Sequence, residues 1–392
     1  MEIRREDRLL LKCLCAGDDQ GKSNGLERLS SSGWDRLIQR SLRHSVTPLL
    51  YDHLKKNANV PDRHLERLRD IYLQSAVMSI RLFHKLSKVL QLINDSGIPV
   101  IVLKGACLAE VVYRNPALRT MYDVDLLFMR RDLTRAQKIL MDAGYDPHSA
   151  QLFLDIHWDI DLTSTPLSIE MEGIWERAQP CVIADVEVLV LSTEDLLIHL
   201  CVHLSYHHLF GAAGLRTLYD IRETIRYYSG RIQWEVVRDR SREWGIGNSV
   251  RLTLLLARDL LNADVPDKVL EGLRQDDLDP RVKTWAMEQI FNHRGASLDL
   301  SPHFSLLWNS GTLLEKASHF LKLLIPSTEF ISQKYPAPHR SLKNYLFYLV
   351  RLKDHLSRYC RATWRILVRD EEMRRLVREK NRNLAMREWL SS

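Results

Sequence analysis

The 392-residue chain contains no stretch approaching the ~18 uninterrupted apolar residues that would indicate a transmembrane helix. Its six cysteines, Cys13, Cys15, Cys107, Cys181, Cys201 and Cys360, are dispersed. They form no CxxC pair and no zinc-ligand spacing, which argues against a disulfide framework and for free thiols in a reducing compartment. The first residues, Met1 to Arg8, lack the following apolar region and cleavage site of a signal peptide, so a cytoplasmic location is expected. Charge of one sign is also scarce over most of the chain: the formal net charge is +6, yet residues from Ile331 onward hold fifteen Lys/Arg against six Asp/Glu. Everything before Ile331 is slightly acidic. With 45% hydrophobic residues the chain can bury a sizeable core, and its length suggests two to three domains.

The strongest chemical signal lies between Ile98 and Phe128. Val100-Ile101-Val102-Leu103 is a short apolar run of buried-strand type, followed by Lys104-Gly105 and a helical pattern from Ala106 to Val112. A glycine where a strand turns into a helix lets backbone N–H groups approach a phosphate. The helix N-terminus adds partial positive charge and Lys104 a full one. After Arg114-Asn115-Pro116 comes Asp123-Val124-Asp125-Leu126-Leu127-Phe128. On a strand its two carboxylates emerge on the same side about 7 Å apart, with Val124 and Leu126 turned to the core. Like charges held that close call for a cation, and oxygen ligands of this kind suit Mg²⁺.

Strand, Gly-containing turn, helix and then Asp-x-Asp on the next strand resembles the polymerase-β-like nucleotidyltransferase superfamily. More narrowly, Leu103-Lys104-Gly105, Arg119 and Asp123 to Leu127 are similar to the bacterial "nucleotidyltransferase family protein" group, often encoded near polysaccharide or modified-peptide biosynthesis genes. Most of the superfamily carries Gly-Gly or Gly-Ser at the turn, where this chain has Lys104-Gly105. The resemblance implies an α+β fold: a small mixed sheet with helices, flanked by helical N-terminal and C-terminal regions. It also implies a third carboxylate on a following strand. Asp155, His157, Asp159 and Asp161 share one face of a regular strand over Phe153–Leu162. The narrower group's acidic residue two before His-Trp falls on Asp155, which is preferred over Asp159 and Asp161. His157 is either a neighbour of the metal site or a hydrogen-bonded core residue.

The expected organisation is a helical region over 1–96, a catalytic domain over 97–191, a helical domain completing the cleft over 192–330, and a basic helical segment over 331–392. In the first region Asp7 to Leu14 is amphipathic, Trp34, Leu37, Ile38 and Leu42 form a buried stripe, Gly21–Gly33 is a loop, and a long helix occupies Pro61–Ser96. The apolar positions of that helix include Leu65, Leu68, Ile71, Tyr72, Ala76, Ile80, Leu82 and Leu86. In the second, Arg131–Ala143 is a helix ended by Gly144. Phe153–Leu162, Leu167–Met171 and Ala184–Leu191 are strands, with Pro166 and Pro180 marking breaks. Ser192 to Asp195 resembles a capping box opening a helix that carries His199, His203 and His207 at i, i+4 steps beside His208. No Glu follows the first His in the metalloprotease arrangement, so a structural or substrate-facing role is favoured over zinc.

The resemblance extends to Leu215 to Ile221, which implies that His203, His207, Arg216 and Asp220 line the far wall of the cleft; a polar helix–helix contact is the alternative. Helices are further expected through Trp234–Val237, Val250–Leu261, Val265–Leu273, Trp285–Phe291 and Leu313–Leu324, with Asp276–Pro280 a break, Pro326 a stop and Pro336–Pro338 a loop. Past the apolar run Leu346–Val350, Arg358, Arg361 and Arg365 share a helical face in a basic stretch that also holds Arg369, Arg374, Arg375 and Arg378. Such a face can make weak contact with an anionic surface, or be a solvated tail.

The function implied is Mg²⁺-dependent transfer of a nucleoside monophosphate, AMP first among candidates, from a nucleoside triphosphate to a hydroxyl. The acceptor would be a sugar, lipid-linked intermediate, peptide or protein. Asp123, Asp125 and Asp155 would hold two Mg²⁺ ions, or Mn²⁺ in their place, and Lys104, Gly105 and Arg119 would meet the phosphates. Two rival readings are a catalytically inactive nucleotide-binding module and a nucleic-acid-binding protein acting through the basic C-terminal helix.

Overall fold

The structure, a computed structural model, describes residues 3–15, 25–57, 59–145, 153–160, 169–211, 214–273, 279–292 and 371–391. The chain divides into two compact units, Met1–His293 with Trp389–Ser392, and Arg294–Glu388. The first opens with helices α1 (Arg5–Cys15), α2 (Ser31–Arg43), α3 (Thr47–Leu54) and α4 (Asp62–Asp95). Then come β1 (Val100–Val102), α5 (Lys104–Cys107) continued as a π-type turn over Leu108–Val112, β2 (Val124–Phe128), α6 (Leu133–Asp142) and β3 (Leu154–His157). They are followed by α7 (Met171–Arg177), β4 (Gln179–Ile183), β5 (Val186–Val190) and α8 (Thr193–Val202), which runs on as a π-type turn over His203–His207. Helices α9 (Gly214–Tyr227), α10 (Trp234–Glu243), α11 (Gly247–Leu261), α12 (Asp267–Gly272) and α13 (Pro280–Asn292) complete it. In the second unit the described residues belong to the helix Glu371–Leu390, which carries Arg374, Arg375 and Arg378.

The five strands form one mixed sheet in the order β3-β2-β1-β5-β4, which with the surrounding helices is the α+β fold expected. β1 runs antiparallel to β2 and parallel to β5, β2 is parallel to β3, and β4 is antiparallel to β5. Alternation puts Val100 and Val102, then Val124, Leu126 and Phe128, then Val186, Val188 and Val190 into one core with Leu82, Leu86, Val89, Leu90 and Ile93 of α4. Each such side chain, fully buried, contributes about 1.5–3 kcal/mol. The other parity of β2 and β3, to which Asp125 and Asp155 belong, points away from that core.

Several local expectations are corrected. Leu42 is 45% exposed, since the inward position beside it belongs to Arg40, whose guanidinium pairs through two 2.6 Å bonds with the fully buried Asp7. Ile80 is 69% exposed. The buried stripe of α4 passes instead through Ser75 and Ser79, whose hydroxyls donate to the carbonyls of Ala117 and Pro116 at 2.9 Å. Those bonds tie the loop ahead of β2 to α4. Pro180 interrupts nothing: it lies within β4, an edge strand, where a missing N–H leaves no ladder bond broken. The Gly21–Gly33 loop ends early, because Leu26–Arg28 form a 3-10 turn and α2 starts at Ser31, with Ser30 Oγ accepting from the Gly33 N–H at 3.2 Å. Met171 begins a helix rather than ending a strand, and Pro280 starts α13, where its fixed φ suits a first turn. β3 stops at His157, so Asp159 lies beyond the strand.

Asp161, Pro166, Leu313–Leu324, Pro326, Pro336–Pro338, Leu346–Val350, Arg358, Arg361, Arg365 and Arg369 lie outside the described residues. Among the described residues no helix is long and apolar enough to cross a membrane.

Candidate active site

The site starts where β1 ends. The Leu103 N–H donates to the Asp125 carbonyl at 3.0 Å, extending the β1–β2 ladder by one step and setting Lys104 beside Asp125. Lys104 then takes φ 38°, a left-handed conformation that glycine adopts without penalty and other residues rarely do. Its Nζ donates to Asp125 Oδ1 at 2.9 Å, and both side chains are 13% exposed. Gly105 has a packing reason as well: a Cβ there would lie 2.9 Å from the Sδ of Met121, a residue of the sheet core.

β2 and β3 are registered so that Asp125 pairs with Asp155 and Leu127 with His157. In a parallel pair such partners point to the same face. His157 Nε2 lies 3.0 Å from Asp125 Oδ1 and 3.4 Å from Asp155 Oδ2. One donor atom from each of Asp125, Asp155 and His157 falls within 4.8 Å of the other two. Two carboxylates and an imidazole on one sheet face fit a divalent cation, the oxygens suiting Mg²⁺ or Mn²⁺ and the imidazole leaning toward Mn²⁺. Burial works to raise the pKa of Asp125, but the His157 hydrogen bond and the Lys104 charge prevail and hold it well below the usual carboxylate range. Asp125 is therefore ionised at neutral pH. Asp155 is the most open of the three, with its side chain 59% exposed.

The facing wall comes from the loop ahead of β2, from α8 with its π-type turn, and from α9. Asp220 on α9 is fully buried and accepts from Arg119 Nε with 2.9 Å to each oxygen, and from the Tyr113 hydroxyl at 2.8 Å. The Thr120 carbonyl accepts from Arg119 Nη1 at 2.9 Å and from Arg216 Nη1 at 3.1 Å, which holds two guanidiniums side by side. Burial, then the neighbouring Arg119 charge, push the Arg216 pKa down to about 10, so it stays cationic at neutral pH. His203 and His208 approach Nε2 to Nε2 at 3.3 Å, and the His207 ring is 5.1 Å from that of His203. Burial, followed by the charge of Lys104, keeps His199 and His203 well below the ordinary imidazole value. Lys104, Arg119, Tyr122, His203, His208 and Arg216 are among the residues lining a cavity of about 240 Å³.

Of the residues singled out in the sequence, the structure thus brings Lys104, Asp125, Asp155 and His157 into direct contact, and Arg119, His203, Arg216 and Asp220 around the adjoining cavity. Asp123 is exposed, just ahead of β2, and stands outside the three-residue cluster. Its charge is felt across the cleft at His208 and Arg216. His207 does not line the cavity. Tyr113, Tyr122 and the role of His208 were not evident from the sequence. The His208–His203 spacing of five residues fits no regular helix face and is produced by the π-type turn.

A family model described as an uncharacterised nucleotidyltransferase matches residues 30–262, from just before α2 to just past α11. Neither the curated proteins nor the solved structures return a match. The match takes in the whole sheet, the acidic cluster and both walls of the cavity, and it covers more than half of the sequence. On these grounds the chain belongs to the uncharacterised nucleotidyltransferase family.

Proposed function

We propose that the protein transfers a nucleoside monophosphate, AMP first among candidates, from a nucleoside triphosphate to an acceptor hydroxyl at the Asp125–Asp155 face of the sheet. The observation that carries this reading is the register pairing of Asp125 with Asp155, with His157 within 3.4 Å of both. Asp125 and Asp155, with His157 beside them and Asp123 at the rim, would hold divalent cations. A bound Mg²⁺ or Mn²⁺ supplies positive charge to the triphosphate and to the pyrophosphate as it leaves.

The chain's own groups do the rest. Asp125 is kept ionised by Lys104 and His157, so its charge is in place before substrate arrives. Lys104 and the first turn of α5 at Gly105 face the phosphates, and Arg119 adds its charge from the cavity side. Asp155, the exposed carboxylate, takes the proton of the acceptor hydroxyl as its oxygen bonds to the α-phosphorus and the bond to the β-phosphate oxygen breaks. His157 holds Asp155 in place through the 3.4 Å contact.

The test is incubation of the full chain with each α-labelled nucleoside triphosphate, Mg²⁺ and cell extract, followed by identification of whatever becomes labelled. Asp123→Ala and Asp125→Ala are expected to abolish labelling while leaving the far-UV circular dichroism unchanged. Full labelling by either variant would rule the mechanism out.

A further inference from the structure

The walls of the 240 Å³ cavity hold three cations, Lys104, Arg119 and Arg216, of which two have a carboxylate in direct contact. Lys104 is matched by Asp125 and Arg119 by Asp220. Arg216, by contrast, has no carboxylate partner among the described residues: its Nη1 is spent on the Thr120 carbonyl, and its buried Nε makes no hydrogen bond. A buried guanidinium N–H left unpaired is unfavourable, and an anionic oxygen is the partner that suits it best. The shared Thr120 carbonyl holds Arg119 and Arg216 side by side, an arrangement whose like-charge repulsion a two-oxygen anion relieves. His203 and His208, 3.3 Å apart in the same wall, add ring nitrogens that can donate.

The size of the cavity and its place limit what enters. At 240 Å³ it falls below the roughly 300–1,000 Å³ of sites that enclose a whole small molecule, so it takes a group rather than a nucleotide. None of Asp125, Asp155 and His157 lines it, while Lys104 both lines it and binds Asp125. An anion seated there lies one lysine side chain away from the carboxylates yet off them.

We propose that this cavity seats a phosphoryl group belonging to the acceptor, so that the acceptor is a phosphomonoester whose own phosphate is anchored by Arg216 while its hydroxyl is presented to Asp155. The inference rests on the nucleotidyl-transfer reading for the word acceptor, and on the cavity alone for the anion.

The experiment is calorimetric titration of the full chain with inorganic phosphate as the probe and, separately, with MgATP, for wild type, Arg216→Gln, Arg216→Lys and the milder His208→Gln. Arg216→Gln is expected to weaken phosphate about tenfold or more, the loss of a charge-assisted bond, and Arg216→Lys to recover part of it. His208→Gln should weaken phosphate by a smaller factor. MgATP affinity should stay within about twofold throughout, which also shows that the variants fold. Phosphate binding that ignores Arg216→Gln overturns the site. Equal loss of phosphate and MgATP affinity in Arg216→Gln, with the two competing in wild type, assigns the cavity to the triphosphate and overturns the acceptor claim. Failure of wild type to bind MgATP while phosphate still depends on Arg216 would remove the nucleotidyl reading and leave the anion cavity standing.

Discussion

Asp220 is the residue whose replacement tests the architecture of the cleft most sharply. It is fully buried on α9 and takes hydrogen bonds from Arg119 Nε on both oxygens and from the Tyr113 hydroxyl, residues more than a hundred positions away in the chain. Asp220→Asn keeps the shape but removes the one carboxylate among the described residues lining the cavity, leaving Arg119 and Arg216 joined through Thr120 with no carboxylate in contact with either. Breaking one side of a buried ion pair costs about 3–5 kcal/mol. That is a large share of the roughly 5–15 kcal/mol by which a domain is stable. Arg119→Met should cost a similar amount for the mirror reason, a buried carboxylate without its cation. The double variant should be less destabilised than the sum of the two, with a coupling of about 1–3 kcal/mol. Urea unfolding followed by tryptophan fluorescence in phosphate-free buffer gives all three values. A loss below about 1 kcal/mol for Asp220→Asn, or strict additivity, would refute the claim that the pair holds the wall together.

Other consequences can be checked in the same apparatus. Lys104 adopts φ 38°, so glycine should relieve about 1–2 kcal/mol of strain and give back about 0.5–1 through chain entropy. Lys104→Gly is therefore expected to be more stable than Lys104→Met, both having lost the Asp125 contact; equal midpoints would refute the strain. The β4–β5 hairpin turns through Ala184 and Asp185 at φ 52° and 62°, the mirror-image turn that Asn-Gly favours. Asp185 is exposed, so Asp185→Gly alone should raise stability by about 0.5–1 kcal/mol, and a loss in urea midpoint would count against that turn. Burial, opposed by the Asp7 hydrogen bond, keeps His44 below its ordinary value of 6.5. Burial tends to raise Asp7, but hydrogen bonds from His44 and Arg40 hold it below 3.8. Both folded-state values are depressed, so both contributions are complete above the unfolded values and fade on acidification, His44 below pH 6.5 and Asp7 below pH 3.8. The slope approaches about 1.4 kcal/mol per pH unit for each group. His44→Gln should flatten the upper limb, and an unchanged slope would contradict the assignment.

How much of this was legible in the sequence depended on range. The long helix α4, the β1 run, the Asp-x-Asp strand and the capped start of α8 announce themselves through period and local capping, and each appears close to its expected place. The pairing of Asp125 with Asp155 was foreseeable from the alternation of β2 and β3, given the family's pattern. What the sequence could not show was set by tertiary packing. Ser75 and Ser79 displaced Ala76 and Ile80 from the buried face because the loop ahead of β2 needed hydroxyl donors, which an apolar count does not register. Arg40 displaced Leu42 because α1 offered a buried carboxylate. Pro180 reads as a breaker until the sheet order makes β4 an edge. The Arg119–Asp220–Tyr113 cluster joins α9 to a stretch about a hundred residues earlier with no shared spacing, so only the folded structure reveals that two arginines converge on one carbonyl.

The central claim is that Asp125, with Asp155 and His157, makes a divalent-ion site that works on a nucleotide. Its most direct test is an electron paramagnetic resonance titration of Mn²⁺ in the presence of ATP, comparing wild type with Asp125→Asn. The account predicts a wild-type signal of protein-bound Mn²⁺–nucleotide and a loss of affinity of about tenfold or more in the variant. Equal binding by the two proteins, or no bound Mn²⁺ in wild type, would contradict it.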